Sequence, residues 1–97
     1  ASPDGRNIAI EIERHVKTLK RYEAIFSAYL QAIKRGEYDA VHYVVPDRKF
    51  AKRLKRVFGL VHSVPVLGER VQITDKHRAR FIVSALADWP THDVLRG

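Results

Sequence analysis

The sequence predicts an α/β domain, on three observations. Residues 8–13, IAIEIE, alternate with the period of a strand. Residues 19–33 then carry apolar side chains at spacings of three and four, the period of a helix. This switch from period two to period 3.6 recurs along the chain, and strands alternating with helices predict a sheet with at least one parallel pair.

The elements follow in order. Pro3-Asp4-Gly5 is turn chemistry. In the strand after it, Ile8, Ile10 and Ile12 are expected to face the core, leaving Ala9, Glu11 and Glu13 on a face that is either wet or functional. Thr18 is placed to cap a helix using Leu19, Tyr22, Ile25, Phe26, Tyr29, Leu30 and Ile33, with Gly36 as its stop. Residues 40–45, AVHYVV, are almost continuously apolar, as a central strand buried on both faces would be. Asp47 is placed to cap a second helix over 48–58, closed by Gly59. SVPVL and RVQITD read as two short strands around a turn at Gly68, and Asp75 as the cap of a last helix over 76–87, with Ala79, Ile82, Val83 and Leu86 on its apolar side and Trp89-Pro90 as its stop. One domain is expected over residues 1–90, with a loose tail over 91–97.

Composition narrows the partners. The chain has 97 residues, with 18 Lys+Arg against 11 Asp+Glu, a formal charge of +7. A domain so basic attracts polyanions, nucleic acid first among them. Disulfides and thiolate metal sites are excluded because cysteine is absent. No apolar run approaches the length of a membrane span, and no helix pairs a wide apolar face with an aromatic anchor, so no membrane partner is expected. Gly-rich phosphate loops are missing, and the five histidines show no ligand spacing.

The cations are grouped. Residues 48–56, RKFAKRLKR, hold Arg48, Lys49, Lys52, Arg53, Lys55 and Arg56 without an acid. Arg14, Lys20 and Arg21 form a second group, together with His15 and Lys17, and Lys76, His77, Arg78 and Arg80 a third. Such groups suit phosphate contacts, which bind without reading sequence. The alternative for any one of them is a solvated helix face.

Glu11 and Glu13 share one side of their strand, about 7 Å apart. With Asp4 before the strand and Lys17 after it, they are the residue types that metal-dependent phosphodiester chemistry needs: oxygen ligands for Mg²⁺ or Mn²⁺ and an amine to steady negative charge. Spacing alone is not specific for that chemistry and fits better a wet strand face whose glutamates pair with cations across a sheet. Tyr22, Tyr29 and Tyr43 fall on apolar positions and read as core or core-edge residues rather than nucleophiles.

The PDG turn, the IAIEIE strand, Lys17, RYEAI, Tyr29 and the stretch YDAVHYVVPDRKFAKRLKRVF together resemble the replication-relaxation family, which includes MobC-type mobilisation proteins of conjugative and mobilisable plasmids. The resemblance spans about residues 3–62. It implies a restriction-endonuclease-like core, a mixed sheet flanked by helices, of the PD-(D/E)xK kind. It also implies metal ligation by Asp4 and Glu11, catalytic roles for Glu11, Glu13 and Lys17, and nicking of DNA at a plasmid transfer origin. Glu13 stands where that pattern expects lysine, so Lys17 would supply the amine from a neighbouring position. A bacterial cytoplasmic setting and other relaxosome proteins as partners are further implications, as is a second reading in which the domain binds DNA or protein without catalysis. The chain starts almost at the pattern's aspartate and lacks an initial Met, so it is expected to be a piece of a longer protein, whose cut sheet edge would invite self-association.

Overall fold

The computed structural model describes residues 5–88. Asp4, the expected stop at Trp89-Pro90 and the tail 91–97 lie outside them.

Strand β1 (Ile8–Ile12) leads into helix α1 (Leu19–Lys34), strand β2 (Ala40–Val45) and helix α2 (Arg48–Phe58). Both helices start where the sequence caps them. Thr18 Oγ1 accepts from Arg21 N at 3.2 Å, and Asp47 Oδ1 from Phe50 N at 2.7 Å. α1 ends in a Schellman arrangement. Gly36 takes φ +80°, its N–H reaches Ile33 O at 3.0 Å, and the Glu37 N–H reaches Ala32 O at 2.9 Å. Strands β3 (Ser63–Val66) and β4 (Glu69–Gln72) form an antiparallel hairpin. Its two-residue turn has Leu67 at φ 49° and Gly68 at φ 85°, the left-handed pair that matches strand twist in tight hairpins.

The last element differs from expectation. Helix α3 covers only Asp75–Arg78, and the chain then forms strand β5 (Phe81–Ala85) and a single 3₁₀ turn, Leu86–Asp88. The spacing of Ala79, Ile82, Val83 and Leu86 fits a helix, but FIVSA also alternates. Phe81, Val83 and Ala85 are buried while Ile82 is exposed. Docking beside β2 satisfies the backbone of β2 on its second side, which a surface helix cannot do.

The sheet is therefore three parallel strands in the order β1-β2-β5, separate from the hairpin. β2 is central, as its apolar run predicts. Among the described residues the main core cluster lies between the sheet and the two helices. Ala9, Val41, Tyr43, Val45, Phe81 and Val83 meet Tyr22, Phe26 and Leu30 of α1 and Leu54 and Phe58 of α2. Phe58 is the hub, edge-on to Tyr22, Phe26 and Tyr43 at ring distances of 5.3, 5.0 and 5.3 Å. Phe26 stacks on Phe81 at 3.9 Å, locking α1 to β5.

Strand β1 is turned opposite to expectation. Ala9 is buried and Glu11 half-buried on the helix side, whereas Ile10 is 52% and Ile12 71% exposed. The side chain beneath α1 has to be small or able to bond the tyrosines above it, and isoleucine is neither. Ile10, His42 and Ile82 consequently line up across the open face of the sheet. His42 Nε2 lies 2.8 Å from Ser84 Oγ there, and partial burial lowers the pKa of the imidazole. Among the described residues, no helix is long and apolar enough to cross a membrane.

Candidate functional site

Glu13 follows β1 directly. Its N–H still reaches Val44 O at 3.1 Å, so its side chain falls on the inner face, 5% exposed. Burial of a carboxylate demands partners, and Glu13 has two. Oε1 takes an ion pair from Lys17 Nζ, and Oε2 accepts from Tyr22 Oη at 2.8 Å. The Tyr22 hydroxyl in turn accepts from Lys17 N at 3.0 Å. Lys17 thus touches the cluster twice, through its amine and through its backbone, and the chain between β1 and α1 closes on itself.

Glu11 lies one pleat earlier and accepts from Tyr29 Oη. Tyr43 is paired with Glu11 in register and is almost completely buried. Its hydroxyl has no hydrogen-bond partner among the described residues. Burial, opposed by the Lys17 N–H and reinforced by Glu13, pushes Tyr22 up to about 12. Tyr29 and Tyr43 are raised further, first by burial and then by the nearby glutamates. Each tyrosine is thereby held as a neutral hydroxyl, and Tyr22 and Tyr29 serve as donors to carboxylates.

Of the two alternatives for this face, wet or functional, the wet one is not what is found: neither glutamate lies on an open surface, and their partners are α1 tyrosines and Lys17 rather than cross-strand cations. Lys17 does come to Glu13. Asp4 lies outside the described residues. Among the described residues, no group of three or more His, Asp or Glu side chains is arranged to hold a metal ion. Glu13 commits both oxygens to Lys17 and Tyr22, and of the ligand pair that the resemblance implies, Asp4 and Glu11, only Glu11 lies among the described residues.

The tyrosine partners are what sequence reading missed. Their signal was present: Tyr22 and Tyr29, seven apart on the apolar stripe of α1, carry hydroxyls that need partners once buried.

The cations are placed by the topology. Both crossover helices begin just beyond the carboxyl ends of parallel strands. Arg14, Lys20 and Arg21 therefore gather at the same end of the sheet as Arg48 and Lys49, the end where open α/β sheets bind ligands. All are exposed. Lys52, Arg53, Lys55 and Arg56 continue along the exposed side of α2, while Ala51, Leu54 and Phe58 face inward. No ion pair among the described residues involves Lys49, Lys52, Arg53, Lys55 or Arg56. The third group is partly structural. Arg78 donates to Val61 O at 2.9 Å and pairs with Asp75 at 3.6 Å, and Arg80 donates to Asp39 O at 2.9 Å.

Fold and site together define a small α/β domain with a three-stranded parallel sheet, helices on one face, a buried carboxylate–tyrosine cluster and a basic helix. Compared with protein-family models, curated proteins and solved structures, the chain matches none.

Proposed function

We propose that this domain binds the phosphate backbone of DNA through the exposed side of α2 and the carboxyl end of the sheet, without catalysis. One observation carries the reading: six cations on one exposed helix with no acid between them, continued by Arg14, Lys20 and Arg21 at the start of the neighbouring helix. Phosphate contacts of this kind fix position and leave sequence unread. The resemblance to the replication-relaxation family supplies the setting, a module of a plasmid mobilisation complex with a restriction-endonuclease-like core acting at a transfer origin beside other relaxosome proteins. The Glu13 carboxylate bonded to Lys17 and Tyr22 favours a cluster that stabilises the fold over one that turns over substrate. Fluorescence anisotropy with duplex DNA across a salt series tests the binding. With about six contacts, log affinity falls against log salt with a slope of about −5, and Arg53→Glu/Arg56→Glu flattens it. A slope near zero in the parent chain overturns the reading.

A second reading keeps the chemistry, with Mg²⁺- or Mn²⁺-dependent nicking at Glu11, Glu13 and Lys17. It is favoured by the meeting of Glu13 and Lys17 at the carboxyl end of β1. Plasmid nicking that Glu11→Ala abolishes would establish it.

A further inference from the structure

Between the end of α1, the β3–β4 hairpin and α3 lies a groove of about 570 Å³, within the size range of ligand pockets. Its floor is aliphatic, built by Leu30 and Ile33 from α1 and by Val66 and Val71 from the hairpin. Lys34, Lys76, His77 and Arg80 stand in its wall, and among the described residues no carboxylate lines it. Lys34 and Lys76 are exposed, and neither has an ion pair among the described residues. Arg80 spends one donor on Asp39 O, which steadies its guanidinium and leaves other N–H groups for a ligand.

An aliphatic floor beside the three cations Lys34, Lys76 and Arg80 selects an occupant that is both aliphatic and acidic. We propose that this groove docks an acidic peptide segment of a partner protein, with aliphatic side chains on the floor and carboxylates against Lys34, Lys76 and Arg80. Nucleic acid fits less well. Among the described lining residues the one aromatic ring is the His77 imidazole, whose Nδ1 is bonded to Thr74, and phosphates alone make no use of the apolar floor. Partner docking here is separate from the α2 surface and would let one domain hold DNA and protein together.

The test is anisotropy of a fluorescein-labelled peptide of alternating leucine and aspartate, titrated with the intact chain. Lys34→Glu/Lys76→Glu should weaken binding about tenfold. Ala79→Trp, which fills the groove from an exposed position, should do at least the same, with circular dichroism confirming that both variants fold. A peptide with glycine in place of leucine should bind about tenfold more weakly, and Arg53→Glu/Arg56→Glu should leave peptide affinity within about twofold. Equal binding of the leucine-free peptide overturns the proposal, as does absence of peptide binding by the parent chain. So does duplex DNA that displaces the peptide and loses as much affinity as the peptide does in Lys34→Glu/Lys76→Glu.

Discussion

The Tyr22 hydroxyl donates to Glu13 Oε2 at 2.8 Å, joining the middle of the helix layer to the end of the first strand. Because the same hydroxyl accepts from Lys17 N, losing it strands a buried carboxylate oxygen and a backbone donor together. Tyr22→Phe keeps the ring against Phe58 and removes only these bonds. It should lower unfolding free energy by about 1–3 kcal/mol, read as a drop in urea midpoint at constant slope. An unchanged midpoint would show that water satisfies both groups.

Lys17 is partly exposed, so its pair with Glu13 is worth less than a fully buried one. Lys17→Met still leaves the carboxylate without its cation and should cost about 1–3 kcal/mol. Glu13→Gln in the same chain should restore part of that loss, because the amide is neutral. A double-mutant cycle by chemical denaturation measures the coupling, and strict additivity would mean that the pair adds nothing.

Alkaline pH should unfold the domain. Tyr22 is raised from 10.0 to about 12 in the folded chain, so the unfolded chain releases its proton first. The stabilisation tied to neutral Tyr22 is complete below pH 10 and is lost as pH rises towards 12. Tyr29 and Tyr43 act in the same direction. Tyrosinate absorbance and far-ultraviolet circular dichroism should therefore change together over that range, and ionisation of these tyrosines well ahead of unfolding would contradict the burial.

DNA binding should be indifferent to divalent metal if the domain is a non-catalytic module. EDTA should leave affinity unchanged at matched ionic strength, and Mn²⁺ should not produce nicked plasmid. Metal-dependent nicking that is lost in Glu11→Ala would instead support the second reading.

The open face of the sheet yields a prediction about self-association. Ile12 is the most exposed of the large apolar side chains there, so Ile12→Lys should change stability by no more than about 0.5 kcal/mol. If copies associate through this face or the adjacent β1 edge, the same substitution should shift the chain towards monomer in sedimentation velocity. Association that persists unchanged would place the contact elsewhere.

Much of the architecture was legible because its signals are local. Thr18, Asp47 and Gly36 mark helix ends through bonds made within a few residues, Gly68 marks the hairpin through a conformation few other residues adopt, and the apolar run of 40–45 marks a strand enclosed by neighbours. The outward side of α2 was legible too, since six cations can only face water.

Two decisions belonged to the tertiary structure. Alternation divides β1 into an isoleucine face and a glutamate face, but it does not say which one α1 covers. The tyrosines of α1 decide that, by offering hydroxyls to Glu11 and Glu13 from residues nine to eighteen positions away. Likewise FIVSA satisfies both periods over so short a run. Its identity as a strand depends on the vacant side of β2, some forty residues earlier in the chain. From β1 to α2 the sequence by itself determined closely where the elements begin and end. Long-range hydrogen bonding, which no local pattern contains, decided which faces and edges they present.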